Sequence, residues 1–169
     1  MYFKTLHEDY VRHGRALLNP AFISLAVYRL GRWAMGRKYK FWQFLFLKVY
    51  AFLNFFVANI TKVWIPYQVT LGEGFHIIHA EGSISIHPDV VIGARCGIMH
   101  NVTIGTNMRN GVPVIGDDVF IGVNSTILGS IKIGDRVKIG ANTAVSTNVP
   151  SDSFVVGSPA KIYPSLNKF

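Results

Sequence analysis

The chain has 169 residues, the length of one compact domain; half of them are hydrophobic and 15% are charged. This composition excludes a disordered chain, and the single cysteine, Cys96, excludes an intramolecular disulfide. The net charge of +8 comes with no nucleic-acid-binding motif, and much of the excess lies before residue 65 among aromatic residues, so we expect no nucleic-acid partner.

The first 62 residues carry a helical pattern. Residues 1–19 lack the apolar core of a secretory signal, so a cytoplasmic chain is expected. Asn19 and Pro20 place a capping residue before a proline suited to the first turn of a helix. Apolar residues then recur at spacings of three and four from Phe22 to Ala34, which predicts an amphipathic helix. We predict a helical region over residues 1–62 and a second domain over residues 63–169.

Residues 41–60 form a second helical segment that is almost wholly apolar, with Lys48 as its only charge. Twenty such residues are long enough to span a bilayer, but a central lysine would be costly there. Three interpretations stay open: a helix packed on its own domain or on a sister subunit, an interfacial helix, and a membrane span. The basic residues of this region favour an anionic surface, so contact of residues 20–60 with the inner face of the cytoplasmic membrane is one option.

After residue 65, aliphatic residues recur at every sixth position. This spacing fits neither a helix nor simple strand alternation, and it is the signature of a parallel β-helix in which three repeats form one triangular coil. Most of these residues are followed by glycine, which we expect to serve corners where the backbone needs room or a positive φ. The series comprises Ile86, Ile92, Ile98 and Ile104, then Ile115, Ile121, Ile127, Ile133, Ile139 and Val145.

The period breaks at two places, and irregularities of a solenoid are where functional residues gather. The spacing from Ile77 to Ile86 is nine, which predicts a three-residue bulge containing residues 79–82. The spacing from Ile104 to Ile115 is eleven, which predicts a solvent-facing loop over residues 106–113. Asn107 and Arg109 of this loop are predicted substrate contacts.

His79 and His100 each lie two positions after an interior isoleucine, at Ile77 and Ile98. Their separation of 21 residues equals one coil plus the bulge, so we expect them at equivalent places on successive coils, about 4.8 Å apart by strand spacing. Two such imidazoles could serve as a base and its orienting partner near neutral pH. Ordinary, partly buried turn histidines remain the alternative for both.

The repeat series and the closing segment over residues 148–162 resemble the hexapeptide acyltransferase superfamily. Residues 63–162 are similar in layout to serine acetyltransferases. The helical part, with Tyr28, Arg29 and Leu30, looks more like the short O-acetyltransferases of exopolysaccharide and capsule biosynthesis. The resemblance implies a mainly β fold, namely a left-handed parallel β-helix with an α-helical N-terminal region. It also implies acetyl-CoA as co-substrate and a homotrimer with active sites between subunits.

Residues 78–82 match the motif around the family's catalytic histidine. The resemblance therefore implies that His79 takes the proton of an acceptor hydroxyl as it attacks the thioester. His100, from its place on the next coil, and Glu81, a carboxylate two residues after His79, are further catalytic candidates. It implies no covalent acyl-enzyme, so Cys96 is expected to be inert, and no metal. Backbone groups would meet the pantetheine, and cationic side chains would meet the phosphates. The implied acetyl-CoA-binding residues are Val123, Lys138, Ala141, Ala160 and Lys161.

Three positions depart from the serine acetyltransferase pattern. The aspartate that pairs with the catalytic histidine there is matched by Trp64, the aspartate before that histidine by Ile78, and a histidine of the serine-recognition loop by Val112. Glu81 or Asp89 would have to replace the missing carboxylate. These departures favour a saccharide hydroxyl as acceptor, in exopolysaccharide biosynthesis.

Serine O-acetyltransferase is the alternative function. Two less favoured alternatives are a non-catalytic trimeric scaffold and a zinc lyase of the γ-carbonic-anhydrase kind, in which His79 and His100 would supply two of three metal ligands.

Overall fold

A computed structural model describes residues 2–79, 81–108 and 111–164. The described residues form three α-helices followed by fifteen strands of two to four residues. The helices are α1 Tyr2–Arg12, α2 Pro20–Met35 and α3 Lys40–Thr61. The strands are β1 Val63–Trp64, β2 Thr70–Leu71, β3 His76–Ile77, β4 Ile84–Ile86, β5 Val91–Ile92, β6 Gly97–Ile98, β7 Val102–Gly105, β8 Val114–Ile115, β9 Phe120–Ile121, β10 Thr126–Leu128, β11 Lys132–Ile133, β12 Lys138–Ile139, β13 Ala144–Val145, β14 Ser153–Val156 and β15 Lys161–Pro164.

The strands stack into three sheets. Sheet A contains β1, β4, β7, β10 and β13, sheet B contains β2, β5, β8 and β11, and sheet C contains β3, β6, β9, β12, β14 and β15. Neighbours are parallel except for β14 and β15, which are antiparallel. From β4 to β13, each strand pairs with the strand that lies three strands earlier in the chain. The chain is therefore a parallel β-helix, and the predicted fold class is confirmed.

The ten aliphatic residues predicted at six-residue spacing all lie in the interior, each 3% exposed or less. Along the chain they belong in turn to sheets A, B and C, so each complete coil places one of them on each of its three sides. A single coil cannot cover these side chains, and their burial depends on the coils above and below.

Strand pairing shows where the extra residues leave the stack. In a regular coil Ile84 pairs with Val102, 18 positions further on. Val63 pairs with Ile84, 21 positions on, across the bulge. Thr103 pairs with Thr126, 23 positions on, across the loop. Both predicted insertions therefore leave at corners without shifting the interior register.

The last coil is shorter than the six-residue period predicts. Lys138 pairs with Phe154, only 16 positions further on, and β14 then turns back on itself as the antiparallel pair with β15. This hairpin covers the end of sheet C.

The corner glycines serve close approach and not positive φ. A Cβ atom on Gly116 would overlap the aspartate side chain of the next coil. The positive φ angles fall two residues after such glycines, on Arg95, Asp118 and Arg136, at 56–57°. The side chains at these positions pair between coils: Arg95 binds Asp118 and Arg136 binds Asp152, each through two hydrogen bonds. Of the two reasons expected for glycine, only the need for room holds here.

The helical region closes the first coil. The Tyr28 hydroxyl donates to the Val69 carbonyl at 2.7 Å and accepts from the Leu71 amide at 3.2 Å. The Arg29 guanidinium donates to the Leu71 carbonyl at 2.9 Å and binds the buried Asp9 carboxylate at 2.7 and 3.3 Å. These contacts satisfy backbone groups that the open end of a solenoid would otherwise leave without partners.

Helix α3 packs on α2 along one side only. Its buried residues are Tyr50, Ala58 and Thr61, and the Tyr50 ring lies 5.2 Å from the Tyr67 ring. The opposite side is exposed in the described chain, so α3 is not covered by its own domain. By length and composition alone, this helix could cross a bilayer.

We predict that Arg29→Leu lowers the free energy of unfolding by about 3–5 kcal/mol, because the buried Asp9 carboxylate loses its charge partner. Urea denaturation followed by circular dichroism measures this change. The matched control is Arg32→Leu, since Arg32 is exposed and, among the described residues, donates to the Gln68 carbonyl and the Thr70 hydroxyl; its cost should stay below about 1 kcal/mol. Equal costs for the two variants would contradict a structural role for the buried pair.

Candidate active site

The bulge places His79 at the corner between sheets C and A. Ile77 pairs with Ile98, so His79 and His100 occupy equivalent positions on consecutive coils, as predicted. The two imidazole centroids lie 6.1 Å apart, with the ring planes inclined at 70°. The rings therefore meet edge to face and are not stacked.

Gly82 and Asn101 hold the bulge in shape. Gly82 has a φ of 135°, and a Cβ atom there would lie 2.6 Å from the Asn101 side-chain oxygen. That oxygen accepts a hydrogen bond from the Ser83 amide at 3.0 Å, and Asn101 itself has a φ of 56°. Sequence reasoning missed Asn101. The available signal was an asparagine, a residue that tolerates left-handed backbone, one coil after the break.

Glu81 is the carboxylate that lies beside His79. Its Oε2 atom is 3.5 Å from His79 Nδ1, and the side chains are 85% and 51% exposed, respectively. A carboxylate at Nδ1 favours the tautomer in which Nε2 is the free basic atom. Asp89, the other carboxylate considered, lies 3.8 Å from Nδ1 of His87 instead.

His100 contributes a buried nitrogen to the site. Its Nδ1 atom has no hydrogen-bond partner among the described residues. Buried polar atoms without partners are uncommon, and they occur at catalytic sites and at sites that bound water completes. His100 is thus free to bond to a group that enters the site.

A second pair of histidines lies beside the first. The His13 and His76 rings are 4.9 Å apart, and His13 Nε2 accepts a hydrogen bond from the Ile77 amide at 3.2 Å. Burial, together with the nearby His13, Arg12 and His79, lowers the pKa of His76 to about 4. His76 is therefore neutral near pH 7 and adds no positive charge beside His79.

A cavity of 590 Å³ opens beside His79, a volume in the range of small-molecule sites. One wall belongs to the bulge, and the other belongs to the start of α2 and the end of α3. The lining is mainly apolar. Its polar residues Asn19 and Thr61 bond within the helices, Asn19 to the Ala21 amide and Thr61 to the Val57 carbonyl, which leaves His79 and Glu81 to orient an acceptor. The lining residues are Ala16, Leu18, Asn19, Pro20, Ala21, Ile60, Thr61, Ile78, His79 and Glu81.

Val123 and Ala141 lie on the same edge of the prism as the two histidines. Ile98 pairs with Ile121, and Ile121 pairs with Ile139, so the positions two residues further on also align. The Asn142 amide donates to the Val123 carbonyl at 2.8 Å. At about 4.8 Å per coil, Ala141 lies roughly 14 Å along the axis from His79. An extended ligand could follow this edge, and the acetyl-CoA role of both residues stays a prediction.

The other implied acetyl-CoA contacts lie at the far end of the β-helix. Lys138 is exposed on β12, and Lys161 begins β15, where it pairs with Val156. Ala160 packs against the core, and its amide donates to the Ala144 carbonyl at 3.3 Å. These positions belong to the last two coils, several coils beyond His79.

The predicted substrate contacts of the loop do not meet His79 within one chain. Asn107 lies at the corner between sheets A and B, where its amide packs near Gly129 of the next coil. His79 lies at the corner between sheets C and A. Arg109 lies outside the described residues. A role for Asn107 at the histidine therefore requires a neighbouring copy of the chain.

Cys96 is not a nucleophile. It is fully buried, its thiol lies 3.1 Å from the Gly116 carbonyl, and burial raises its pKa to about 11. Thiolate is the reactive form, and it is scarce at neutral pH for such a group. In the described part of the chain, no three His, Cys, Asp or Glu side chains are grouped as a metal site would require.

Two hexapeptide families match this chain. Residues 113–147 match the bacterial transferase hexapeptide family (six repeats), and residues 83–109 match the hexapeptide repeat of succinyl-transferase. Serine acetyltransferase of Synechococcus elongatus is 31% identical over 95% of this chain and 68% of its own length. Serine acetyltransferase of Helicobacter pylori is 34% identical over 94% of this chain and 91% of its own length. Other relatives are longer: the chain spans 44% of serine acetyltransferase 4 of Arabidopsis thaliana.

Solved serine acetyltransferase structures share the fold over nearly the whole chain. The Neisseria gonorrhoeae enzyme superposes with a TM-score of 0.79 at 30% identity, covering 99% of this chain and 67% of that one. The same enzyme in complex with serine gives 0.76 at 28% identity, covering 96% and 69%. A serine acetyltransferase in complex with CoA gives 0.79 at 25% identity, with the same coverage.

We predict that Gly82→Ala lowers turnover by about a hundredfold while the β-helix stays folded. The added methyl group collides with Asn101 and displaces His79, and misplacement by 1 Å can cost that much. Steady-state kinetics with circular dichroism measure both quantities. Gly36→Ala is the control, because a Cβ there makes only ordinary contact, 3.5 Å from the Trp33 carbonyl oxygen. A fully active Gly82→Ala protein would contradict the role given to the bulge.

Proposed function

This chain belongs to the serine acetyltransferase family of acetyl-CoA-dependent O-acetyltransferases, and on that premise we propose that it acetylates the hydroxyl of serine with His79 as general base. The observation that carries the proposal is the position of His79. It lies on a bulge at the wall of the cavity, Glu81 is beside its Nδ1 atom, and the predicted acetyl-CoA edge runs away from it.

The reaction proposed is a direct transfer. Acetyl-CoA supplies the thioester carbonyl that the acceptor hydroxyl attacks. His79 Nε2 takes the hydroxyl proton, a new C–O bond forms, the C–S bond breaks, and the proton passes on to the departing thiolate. Glu81 stabilises the imidazolium that exists between the two proton transfers. The inertness of Cys96 supports this route over one through an acyl-enzyme.

Serine as acceptor is supported by the Helicobacter pylori serine acetyltransferase, 91% of whose length this chain matches. It is also supported by the similar Neisseria gonorrhoeae structure, which was solved in complex with serine. The volume of the cavity beside His79 has room for a serine or for a saccharide unit, so it does not choose between them. The assignment of serine as acceptor therefore rests on likeness to these relatives.

A saccharide hydroxyl is the second candidate acceptor, and specific residues favour it. Trp64 is 46% exposed on β1, and Ile78 presents an apolar side chain to the cavity. Val112 is partly buried and packs against the core, so it offers no hydrogen bond to an amino acid. Two aspartates and a histidine are expected at these positions in a serine site, which leaves fewer groups to bind an ammonium and a carboxylate.

We also propose that the working enzyme is a homotrimer with the site completed between copies. Asn107 and His79 lie on different edges of one prism, so an adjacent copy is needed to bring the loop to the histidine. Ligand sites are usually concave, and one exposed edge of a single prism cannot enclose an extended ligand. A neighbouring copy would supply the second wall.

We predict that His79→Ala lowers the rate constant of acetyl transfer by about a hundredfold to ten-thousandfold, because a positioned base contributes that factor. Binding of CoA, measured by calorimetry, should be unchanged. His7→Ala is the control, because His7 is an exposed histidine of α1 that does not line the cavity. Equal losses in the two variants would show that His79 is not the base.

We predict that free serine accelerates release of the CoA thiol above the hydrolytic background more than any saccharide of an acceptor panel. The measurement is continuous thiol detection with purified protein, followed by mass spectrometry of the acetylated product. Stimulation by a sugar but not by serine would replace the proposed acceptor by the second candidate. No stimulation, with no CoA binding, would overturn the enzyme assignment itself.

A further inference from the structure

Helix α3 carries an exposed apolar face on the side turned away from α2. At 1.5 Å per residue its 22 residues extend about 33 Å. The residues of this face recur at spacings of three and four and are 41–69% exposed. We call the following residues the α3 aromatic face: Phe41, Phe44, Leu45, Phe52, Phe55 and Phe56.

The segment that contains this face is basic throughout. Between Tyr10 and Gly72 the sequence has nine lysines and arginines and no aspartate or glutamate. Lys40 and Lys62 are exposed at the two ends of α3, and Lys48 lies within the aromatic face. The Lys48 ammonium is 5.3 Å from the Phe44 ring, and its long stem allows the charge to reach a polar boundary while the methylenes stay in apolar surroundings.

We propose that α3 lies in the surface of an anionic lipid bilayer, with the aromatic face at the headgroup–acyl boundary and the lysines among the lipid phosphates. A long helix with exposed aromatic residues and flanking lysines has the chemistry of an interfacial helix. Each lysine near an anionic leaflet adds to the attraction. The surface thus offers the bilayer both apolar contact and charge.

Charge complementarity selects lipid over a second copy of the same face. Two α3 faces packed on each other would bring their lysines together, and residues 10–72 contain no carboxylate to neutralise them. An anionic bilayer supplies the opposite charge.

The packing of α3 selects an interfacial position over a membrane span. A span would place Lys48 near the middle of the hydrocarbon, where a charge is costly. It would also draw in α2, which packs along the buried side of α3 and carries Arg29; the pair of Arg29 with Asp9 of α1 helps to close the β-helix.

Bilayer contact would set the position of the active site. Helix α3 ends at Thr61, and Ile60 and Thr61 line the cavity beside His79. The opening of the cavity would then lie close to the lipid surface. This consequence rests on the proposed function, whereas bilayer contact itself does not.

The test is sedimentation of the full chain with two kinds of vesicle, phosphatidylcholine alone and phosphatidylcholine with phosphatidylglycerol, at low and high salt. We expect binding to the anionic vesicles only, weakened by salt. Lys40→Gln should lower the partition coefficient about fivefold, and Phe52→Ser with Phe55→Ser at least about tenfold. Lys132→Gln is the matched control, an exposed lysine on β11 of the β-helix, and should leave binding unchanged.

Circular dichroism and acetyl-CoA turnover report whether each variant is folded, and the Lys40 and Lys132 variants keep the test decisive if the phenylalanine variant fails to fold. Absence of binding to both vesicles would overturn the proposal. A molecular mass that falls when the aromatic face is altered would assign the face to a second copy instead. Binding that survives high salt and alkaline extraction would show a membrane span. Each result is independent of whether serine is the acceptor.

Discussion

The requirement that every coil return to the same interior register governs this molecule. Ten aliphatic residues stack in columns inside the β-helix, and their burial depends on the coils above and below. An extra residue within a strand would turn apolar side chains outward, so additional residues can leave only at corners. The bulge before β4 and the loop after β7 obey this constraint. His79 is therefore held on an irregular segment whose two ends are fixed by regular strands, which is how a rigid scaffold positions a catalytic group.

The same constraint makes the first coil depend on the helices. No earlier coil exists to satisfy its backbone groups, and Tyr28 and Arg29 of α2 take that place. Fixing α2 against the coil also fixes the wall of the cavity that faces His79, because the start of α2 and the end of α3 form it. The contacts that close the first coil thus also hold one wall of the cavity beside His79 in place.

The six-residue period was sufficient to predict the fold, the interior residues and the alignment of His79 with His100, because burial by stacking acts identically in every coil. The remaining features depend on contacts that have no period. The support of Gly82 by Asn101 arises between coils, and the 16-residue last coil follows from the closing hairpin. The sequence predicts positive φ at some corner glycines, but the positive φ falls on Arg95 and Asp118, whose side chains pair between coils.

The predicted acetyl-CoA edge and the candidate acceptor cavity belong to different parts of the structure, so membership of the family is compatible with its departures at the cavity. The alignment of His79, His100, Val123 and Ala141 along one edge follows from the strand register alone. A related chain with the same register therefore has the same alignment. The acceptor cavity is built from the bulge and the helices, whose side chains are not constrained by the interior. Ile78, which lines this cavity, can therefore stand where a charged residue is expected without disturbing the β-helix. Trp64 is half exposed on β1, outside the cavity lining, and its side chain is also not part of the interior. Acetyl transfer follows from the scaffold that the family shares, whereas recognition of the acceptor depends on side chains that the interior leaves free to vary.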